Sequence, residues 1–482
     1  MLARMQIFKG DRMSPKIWKM IAPVAVILVF WFMPTPEGLT PNAWKFFAIF
    51  MGVVVGLVLE PIPAALVGFT GISLVAVLGL IDPKSSENIK WALSGFSNTV
   101  IWLIFAAFMF ALGYKKTGLG RRISLVLVKY LGKSSLGLGY AVAFADLILA
   151  PFMPSNTARS AGTIYPVASN IPPIFNSTPD NEPRKLGAYL TWVALASTCV
   201  TSSMFLTALA PNLLAVDLIA KGTGNAVITW GQWASIMIPL MLPLFLLVPL
   251  ITYVIYPPTQ KTSPEAPAWA AAELKTLGGV KGKEILMGVL AVVALVLWIF
   301  GKEVGIHGTT AAIAIVAVMV LTNVITWDDV LSNKEAFNIL IWFATLVAMA
   351  SGLSKTGVLK WMGTGLEGYL VGMTPTVLML SMLLIFFVLH YFFASVTAHT
   401  TALLPLFMAI AVQMIAPEQL VPFSILMAGT LGIMGILTPY ATGPSPIWFG
   451  SRFIPTGTFW LLGGVFGALY IAVLLVGVFI FV

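Results

Sequence analysis

Long apolar runs recur along this chain and limit the folds that it can adopt. Residues 229–256 and 456–482 carry no charged side chain, and each exceeds the roughly 20 residues that an α-helix needs to cross a bilayer. Only 9% of the residues are charged, whereas a soluble domain usually carries about 25%. The sequence therefore predicts an all-α polytopic membrane protein with about 11 transmembrane helices. A β-barrel would instead show short alternating segments.

The net charge of +9 and the residue inventory exclude several other classes of function. Basic residues cluster in a few loops and form no aromatic-interleaved stripe, so no nucleic-acid partner is expected. Cys199 allows no internal disulfide. The three histidines show no metal-ligand spacing and there is no G-x-S-x-G motif, so we expect neither an enzyme nor a cofactor.

The chain divides into four parts. They are an N-terminal basic segment with the first transmembrane helix (1–34), a first repeat (35–256), a cytoplasmic linker rich in Pro, Lys and Glu (257–283), and a second repeat (284–482). The basic residues Arg4, Lys9 and Arg12 resemble a secretion signal, but the apolar run after them ends at Pro34 without a small-residue cleavage site. Residues 119–133 mix basic and apolar side chains, which is typical of a helix in the membrane interface.

The two repeats align at an offset of about 240 residues. The matched positions are Asn98 with Asn338, Trp102 with Trp342, 116–118 with 355–357, and 155–157 with 395–397. Asn98 and Asn338 are expected either to cap their helices or to brace the hairpins. Chance matches of three residues are common, but several matches at one offset indicate an internal repeat.

Charge placement predicts the topology. If residues 136–170 and 375–416 form re-entrant hairpins and the basic N-terminus is cytoplasmic, most of the 27 Lys and Arg residues lie in the cytoplasm. Those outside are Lys45, Lys84, Lys90, Lys221, Lys302, Lys355 and Lys360. The repeats are then inverted, as in many secondary transporters. The C-terminus lies in the periplasm, and the expected location is a bacterial inner membrane.

Two helices, at about 187–219 and 421–450, contain polar breaks. Non-helical backbone survives at membrane depth only if it is buried in protein or lines a wet cavity. Two hairpin tips and two breaks would enclose one site, where helix N-termini, hydroxyls and an amide suit a small organic anion. Exposed carbonyls with oxygens of Ser155 and Asn156 would suit Na⁺ instead.

At these residues the sequence resembles the divalent anion:sodium symporter (DASS) family. The motifs are PSNTARSAG (154–162), SVTAHTTALLP (395–405) and TPYATGPSP (438–446). In detail they are most similar to the dicarboxylate/tricarboxylate exchanger branch. That branch includes bacterial citrate/succinate and tartrate/succinate antiporters and plastid oxoglutarate/malate translocators.

The resemblance implies a homodimer in the lipid membrane, with a scaffold domain and a transport domain that moves as an elevator. It implies di- or tricarboxylate substrates of the succinate, malate, 2-oxoglutarate or citrate type. The implied substrate-binding residues are Ser155, Asn156, Thr157, Thr201, Ser202, Ser203, Ser395, Thr397, Thr438, Thr442, Gly443 and Pro444. Val396 departs from the Asn that symporters carry, which favours exchange over Na⁺-coupled symport by the same fold.

Two further residues join the predicted substrate site with open alternatives. Arg159 is costly at membrane depth and either binds a substrate carboxylate or extends to the interface. His399 either hydrogen-bonds the substrate or packs within its helix. Asp146 is expected to pair with another group of the transport domain. An anion channel is the competing class of function. A channel would need a continuous polar stripe along several helices, whereas the polar residues of this chain concentrate at the two hairpin tips and the two helix breaks.

Overall fold

The computed structural model describes residues 15–224, 227–370 and 372–482, and over these ranges it is helical with no strand. The predicted all-α membrane fold is confirmed. The first four helices are α1 (Pro15–Phe32), α2 (Pro41–Leu59), α3 (Ala64–Val77) and α4 (Ser85–Leu93). The basic residues Arg4, Lys9 and Arg12 lie outside the described residues.

Helices α5 to α15 follow. They are α5 (Thr99–Thr117), α6 (Leu119–Leu131), α7 (Ser135–Leu149), α8 (Tyr165–Ala168), α9 (Gly187–Met204), α10 (Ala210–Thr223), α11 (Trp230–Ile255), α12 (Glu265–Leu277), α13 (Gly282–Phe300), α14 (Gly308–Leu321) and α15 (Trp327–Leu331). The remaining helices are α16 (Lys334–Lys355), α17 (Val358–Leu370), α18 (Pro375–Leu389), α19 (Val396–Met414), α20 (Pro417–Ile433), α21 (Ser445–Gly450) and α22 (Thr456–Phe481). A π-helical segment, Thr157–Ile164, precedes α8.

Ten helical stretches of the described chain are long and apolar enough to cross a membrane. They include arms of both predicted hairpins, Ser135–Phe152, Pro375–Phe392 and Val396–Met414. Length and composition alone therefore do not separate a crossing helix from a re-entrant arm, and the number of about 11 crossings stays a prediction.

The order and lengths of the helices repeat along the chain. α2 and α13 have 19 residues each, α3 and α14 have 14, α6 and α17 have 13, α7 and α18 have 15, and α11 and α22 have 26. Gly118 and Gly357, which end α5 and follow α16, both have a φ of 79°. This left-handed conformation is open to glycine at little cost. The sequence repeat is thus also a repeat of local structure.

The chain forms two compact units that do not coincide with the two repeats. The smaller unit combines the described residues up to Ser97 with Ile341–Gly365. Its packing is dominated by aromatic side chains: Phe46 meets Trp91 edge-on at 5.9 Å between ring centroids, and Trp44 meets Trp361 at 6.1 Å.

The larger unit comprises Asn98–Leu340 and Leu366–Val482. Helix α9 is its centre, because all 18 of its residues are buried. It packs against α7, α11 and α20. Every predicted substrate-binding residue belongs to this unit.

The linker 257–283 contains a helix, α12, which packs on α6, and Arg121 Nη2 donates to Glu273 Oε2 at 2.6 Å. Its run of Ala, Glu and Lys favours a helix, whereas the flanking prolines are typical of an irregular connection. Asn98 caps α5 as predicted, but Asn338 lies inside α16, where Asn333 caps the first turn instead.

Candidate substrate site at the hairpin tips

The two hairpin tips begin their second arms in the same way. Ser155 Oγ accepts a hydrogen bond from the backbone N–H of Ala158 at 3.1 Å. Ser395 Oγ accepts one from the N–H of Ala398 at 3.3 Å. Both serines are half-buried. Each tip therefore presents a helix N-terminus, which favours negative charge.

The second break, 437–444, lies between the two hairpins. On one side Asn156 Nδ2 donates to Thr442 Oγ1 at 2.8 Å, and both residues are 5% exposed. Thr157 lies so close to Gly443 that a Cβ there would be 1.8 Å from Thr157 Oγ1. The first tip and the second break are thus brought together as the sequence predicted.

On its other side the second break bonds to the second hairpin. His390 Nε2 lies 2.8 Å from the carbonyl oxygen of Ala441, and the Tyr440 hydroxyl donates to the carbonyl of Tyr391 at 3.2 Å. Thr438, fully buried, accepts from the N–H of Tyr440 at 3.3 Å. Pro444 is buried and immediately precedes α21.

Arg159 is fully buried, and its donors are bonded within the protein. Nε lies 3.1 Å from Asp146 Oδ1, and Nη1 donates to the carbonyls of Met153 and Ala208, both at 2.8 Å. Nη2 donates to the hydroxyls of Ser202 at 3.0 Å and Thr201 at 3.4 Å. The predicted pairing of Asp146 is confirmed. The arginine does not extend to the interface. Behind the tip it joins the first hairpin to the first break, which is the segment 205–209 between α9 and α10.

Thr201, Ser202 and Ser203 lie in the last turn of α9, just before the first break, and their hydroxyls face protein in this conformation. Thr201 Oγ1 donates to Asp146, and Ser202 accepts from Arg159. Ser203 Oγ donates to the carbonyl of Gly429 at 2.6 Å and accepts from the N–H of Ile433 at 2.9 Å. All three hydroxyls hold the broken helix in place, and direct contact with substrate stays a prediction for them.

On the second hairpin, Thr397 is 7% exposed, beside the cap Ser395. His399 is fully buried, and among the described residues neither ring nitrogen has a hydrogen-bond partner. Its ring lies 4.4 Å from that of Phe386 and 5.0 Å from that of His390. The structure therefore places His399 in an aromatic cluster below the tip.

A cavity of about 730 Å³ lies elsewhere in the larger unit. It is lined by the first residues of α5, α11 and α14 and by Leu206 and Thr207 of the first break. None of the predicted substrate residues lines it. Size alone does not identify a carboxylate site, since this cavity is mostly apolar, and we place the candidate site where the first tip meets the second break, because their polar groups converge there.

Three residues at this site were missed by sequence reasoning. Trp448 Nε1 donates to Ser160 Oγ at 2.9 Å, which fastens the arm behind the first tip to α21. Glu335 Oε1 lies 3.5 Å from Ser155 Oγ. Asn212 Nδ2 donates to the carbonyl of Ser202 at 2.7 Å. Of these three, only Asn212 could have been identified from the sequence, because it lies in the Ala-Pro-Asn motif at which the broken helix resumes.

Hairpin tips and broken helices that meet inside an all-α membrane protein define a membrane transport protein. The chain belongs to the family described as the sodium:sulfate symporter transmembrane region, whose model matches residues 14–481. This confirms the resemblance to the DASS family. The chain is 47% identical over 477 residues to an L-tartrate/succinate antiporter of Escherichia coli (strain K12), covering 96% of this chain and 97% of that protein.

Two solved structures share the fold. The crystal structure of the Alcanivorax borkumensis YdaH transporter aligns with a TM-score of 0.55 at 16% identity, covering 86% of this chain and 96% of that one. The Neisseria gonorrhoeae MtrF structure aligns with a TM-score of 0.58 at 14% identity, covering 90% and 97%. At these identities the likeness describes the fold alone.

The family description includes sodium, and the oxygen atoms near the tips bear on whether a sodium ion fits there. The carbonyls of Met153 and Ala208, next to the first tip, already accept from Arg159. On the second tip, the position that matches Asn156 is Val396, whose isopropyl group offers no oxygen. On the second tip the side chain of Val396 therefore offers no ligand for a sodium ion, and a sodium ion beside Ser155 and Asn156 stays a prediction.

Proposed function

We propose that this protein exchanges dicarboxylates across the bacterial inner membrane, taking up one anion for each one released. The proposed substrates are four-carbon dicarboxylates of the succinate, malate and L-tartrate type. Under this proposal the chain catalyses no reaction and needs no cofactor. The N-terminus lies in the cytoplasm and the C-terminus in the periplasm, and the protein acts as a homodimer.

One observation carries the proposal: neutral donors of the first tip and the second break converge at a helix N-terminus. Asn156 bonds Thr442, and Thr157 touches Gly443. Amide, hydroxyl and N–H donors bind carboxylate oxygens at a site with no free counter-charge. The relative that is 47% identical is named an L-tartrate/succinate antiporter, which supports the same chemistry.

An elevator movement is part of the proposal. All predicted substrate residues belong to the larger unit, which supports a transport domain that contains the whole site and forms part of that unit. Exchange follows if the transport domain crosses only when substrate is bound, because bound substrate then replaces a co-transported ion in permitting the movement.

A counterflow assay in proteoliposomes tests the proposal. Vesicles loaded with succinate should take up labelled succinate, malate or L-tartrate without Na⁺, and empty vesicles should take up none. Uptake into empty vesicles that requires a Na⁺ gradient would establish Na⁺-coupled symport by the same fold. A steady anion current without internal substrate would establish a channel.

A further inference from the structure

Glu335 places a carboxylate of the protein at the first hairpin tip. Ser155 Oγ accepts from the backbone N–H of Ala158 at 3.1 Å, which leaves its own proton to donate, and Glu335 Oε1 accepts it at 3.5 Å. Ser155 is half-buried and Glu335 is exposed, so an anion from solution can reach both. A predicted substrate ligand therefore donates to an acid of the same chain.

A carboxylate of the protein is unexpected at a site for anions, because it repels the substrate and competes with it for the same donor. The start of α16 does not require it, since Asn333 Oδ1 accepts from the backbone N–H of Ala336 at 3.2 Å and caps the first turn. Lys115 at the end of α5 attracts Glu335 and offsets part of the cost of holding its charge there. The contact with the tip therefore needs a reason in the working of the site.

The matching place in the other repeat has no acid. At the offset of 240, Ser155 aligns with Ser395 and Glu335 aligns with Gly95. A Cβ at Gly95 would lie 1.8 Å from the carbonyl oxygen of Ala344, so no side chain fits at that position. The repeated fold thus forms without the acid, and the acid serves the first tip alone.

Glu335 belongs to a helix that lies outside both hairpins. From Ile341 onwards α16 is part of the smaller unit, which contains none of the predicted substrate residues. In the proposed elevator, α16 then belongs to the scaffold and the first tip to the transport domain. The bond from Ser155 to Glu335 ties the moving element to the fixed one in this conformation. A substrate carboxylate that takes the Ser155 hydroxyl removes the tie, so binding favours movement.

We infer that Glu335 is a latch carboxylate, which holds the first tip against α16 until a substrate carboxylate takes its place. The inference rests on the proposed exchange function and supplies one of its steps, because the empty carrier leaves the latched state slowly. Glu335 is a positioning residue, since it acts on the substrate through Ser155. With no matching acid at the second tip, the latch restricts the empty carrier in one direction only.

Net uptake of labelled L-tartrate tests the latch in membrane vesicles washed free of substrate, with vesicles that lack the protein as the blank. Glu335 lies at the predicted cytoplasmic end, so in right-side-out vesicles each new cycle needs an empty carrier to leave the latched state. Glu335→Ala should raise net uptake there about tenfold, the effect of losing one hydrogen bond to a charged group. In inverted vesicles the variant and the wild type should be equal. An increase in both orientations, or in neither, overturns the inference.

Exchange in vesicles loaded with L-tartrate separates the latch from general damage. Glu335→Ala should exchange at least as fast as the wild type. In inverted vesicles, where the cytoplasmic side is outside, its half-saturating external concentration should fall, because no carboxylate of the protein competes for Ser155. A wild type whose net uptake equals its exchange refutes the proposed exchange itself. A wild type that exchanges, beside a Glu335→Ala that shows no net uptake, overturns the latch alone.

Two further variants separate contact from charge. Glu335→Asp keeps the charge but shortens the side chain by one methylene, so its net uptake should match that of Glu335→Ala. Wild-type behaviour of Glu335→Asp overturns the inference, because charge without contact would then be sufficient. The matched control is Asp180→Ala, which removes an exposed carboxylate paired with Arg452. It should behave like the wild type, and increased net uptake there would trace the effect to general surface charge and overturn the latch.

Discussion

At the scale of single residues, the hydrogen bond from Asn156 to Thr442 is the contact that joins the first tip to the second break. Thr442→Val keeps the shape of the side chain but removes the acceptor from a buried amide, which costs about 1–3 kcal/mol. We expect the rate of counterflow to fall about tenfold, since the amide is no longer held in one orientation. Thr442→Ser restores the oxygen and should restore most of the rate.

The matched control for this variant is Thr252→Val. Thr252 is equally buried, but its hydroxyl bonds only the carbonyl of Val248 within α11. Thr252→Val leaves no buried donor without a partner, so its melting temperature should fall less than that of Thr442→Val and its rate of exchange should stay at the wild-type level. Equal rates for the two variants would show that the tip does not depend on this bond.

Residue identity alone predicted the first tip, but it did not predict the contacts of Arg159 behind that tip. Ser155, Asn156 and Thr157 were identified because the pattern recurs near Ser395. The partners of Arg159 could not be identified, because Ser202 follows it only after 42 intervening residues in the chain and Ala208 is further still. A side chain with five donors can satisfy them in many ways, and only the fold decides which oxygens converge on it.

At the scale of elements, the close approach of the first tip to the second break requires a glycine at position 443. In Gly443→Ala the new methyl group would lie 1.8 Å from Thr157 Oγ1, so either the Thr157 side chain must rotate or the tip must move away from the break. We expect exchange to be lost while the protein still folds, because the break is not part of a regular helix. Counterflow together with the melting temperature checks this.

Gly450→Ala is the control for that variant. Gly450 ends α21, six residues past the break, and a Cβ there would meet no atom within 4 Å. It should exchange at the wild-type rate. If Gly443→Ala also does so, the tip and the break do not need their close contact during transport.

The sequence predicted the breaks in the helices well, because Pro, Gly and Ser within apolar runs have few explanations at membrane depth. It predicted local capping less well. Asn98 caps its helix and also donates to Asp217 at 2.6 Å, while its repeat partner Asn338 lies inside a helix. Two aligned repeats share the same helix, but the helix need not begin at the same residue in both, because the position of a helix end is less well determined than the helix itself.

At the scale of the whole molecule, distant loops of the larger unit meet at one end. Lys116 bonds Asp329 and lowers the pKa of that carboxyl to about 2. Arg452 Nη2 lies 3.4 Å from Asp180 Oδ2. The basic stretches at this end are 115–133, 184–185 and 261–283, with Lys334 and Arg452. By the excess of basic residues in cytoplasmic loops, we predict that this end faces the cytoplasm.

Cysteine labelling in intact cells tests that orientation. Val304 is 66% exposed in the segment between α13 and α14, and Lys275 is exposed on α12 at the basic end. A membrane-impermeant maleimide should label Val304→Cys in intact spheroplasts and label Lys275→Cys only after lysis. The native Cys199 is fully buried, so the unsubstituted chain should stay unlabelled and serve as the control. The reverse pattern would place the basic end outside, and the two repeats would then need the opposite orientation in the membrane.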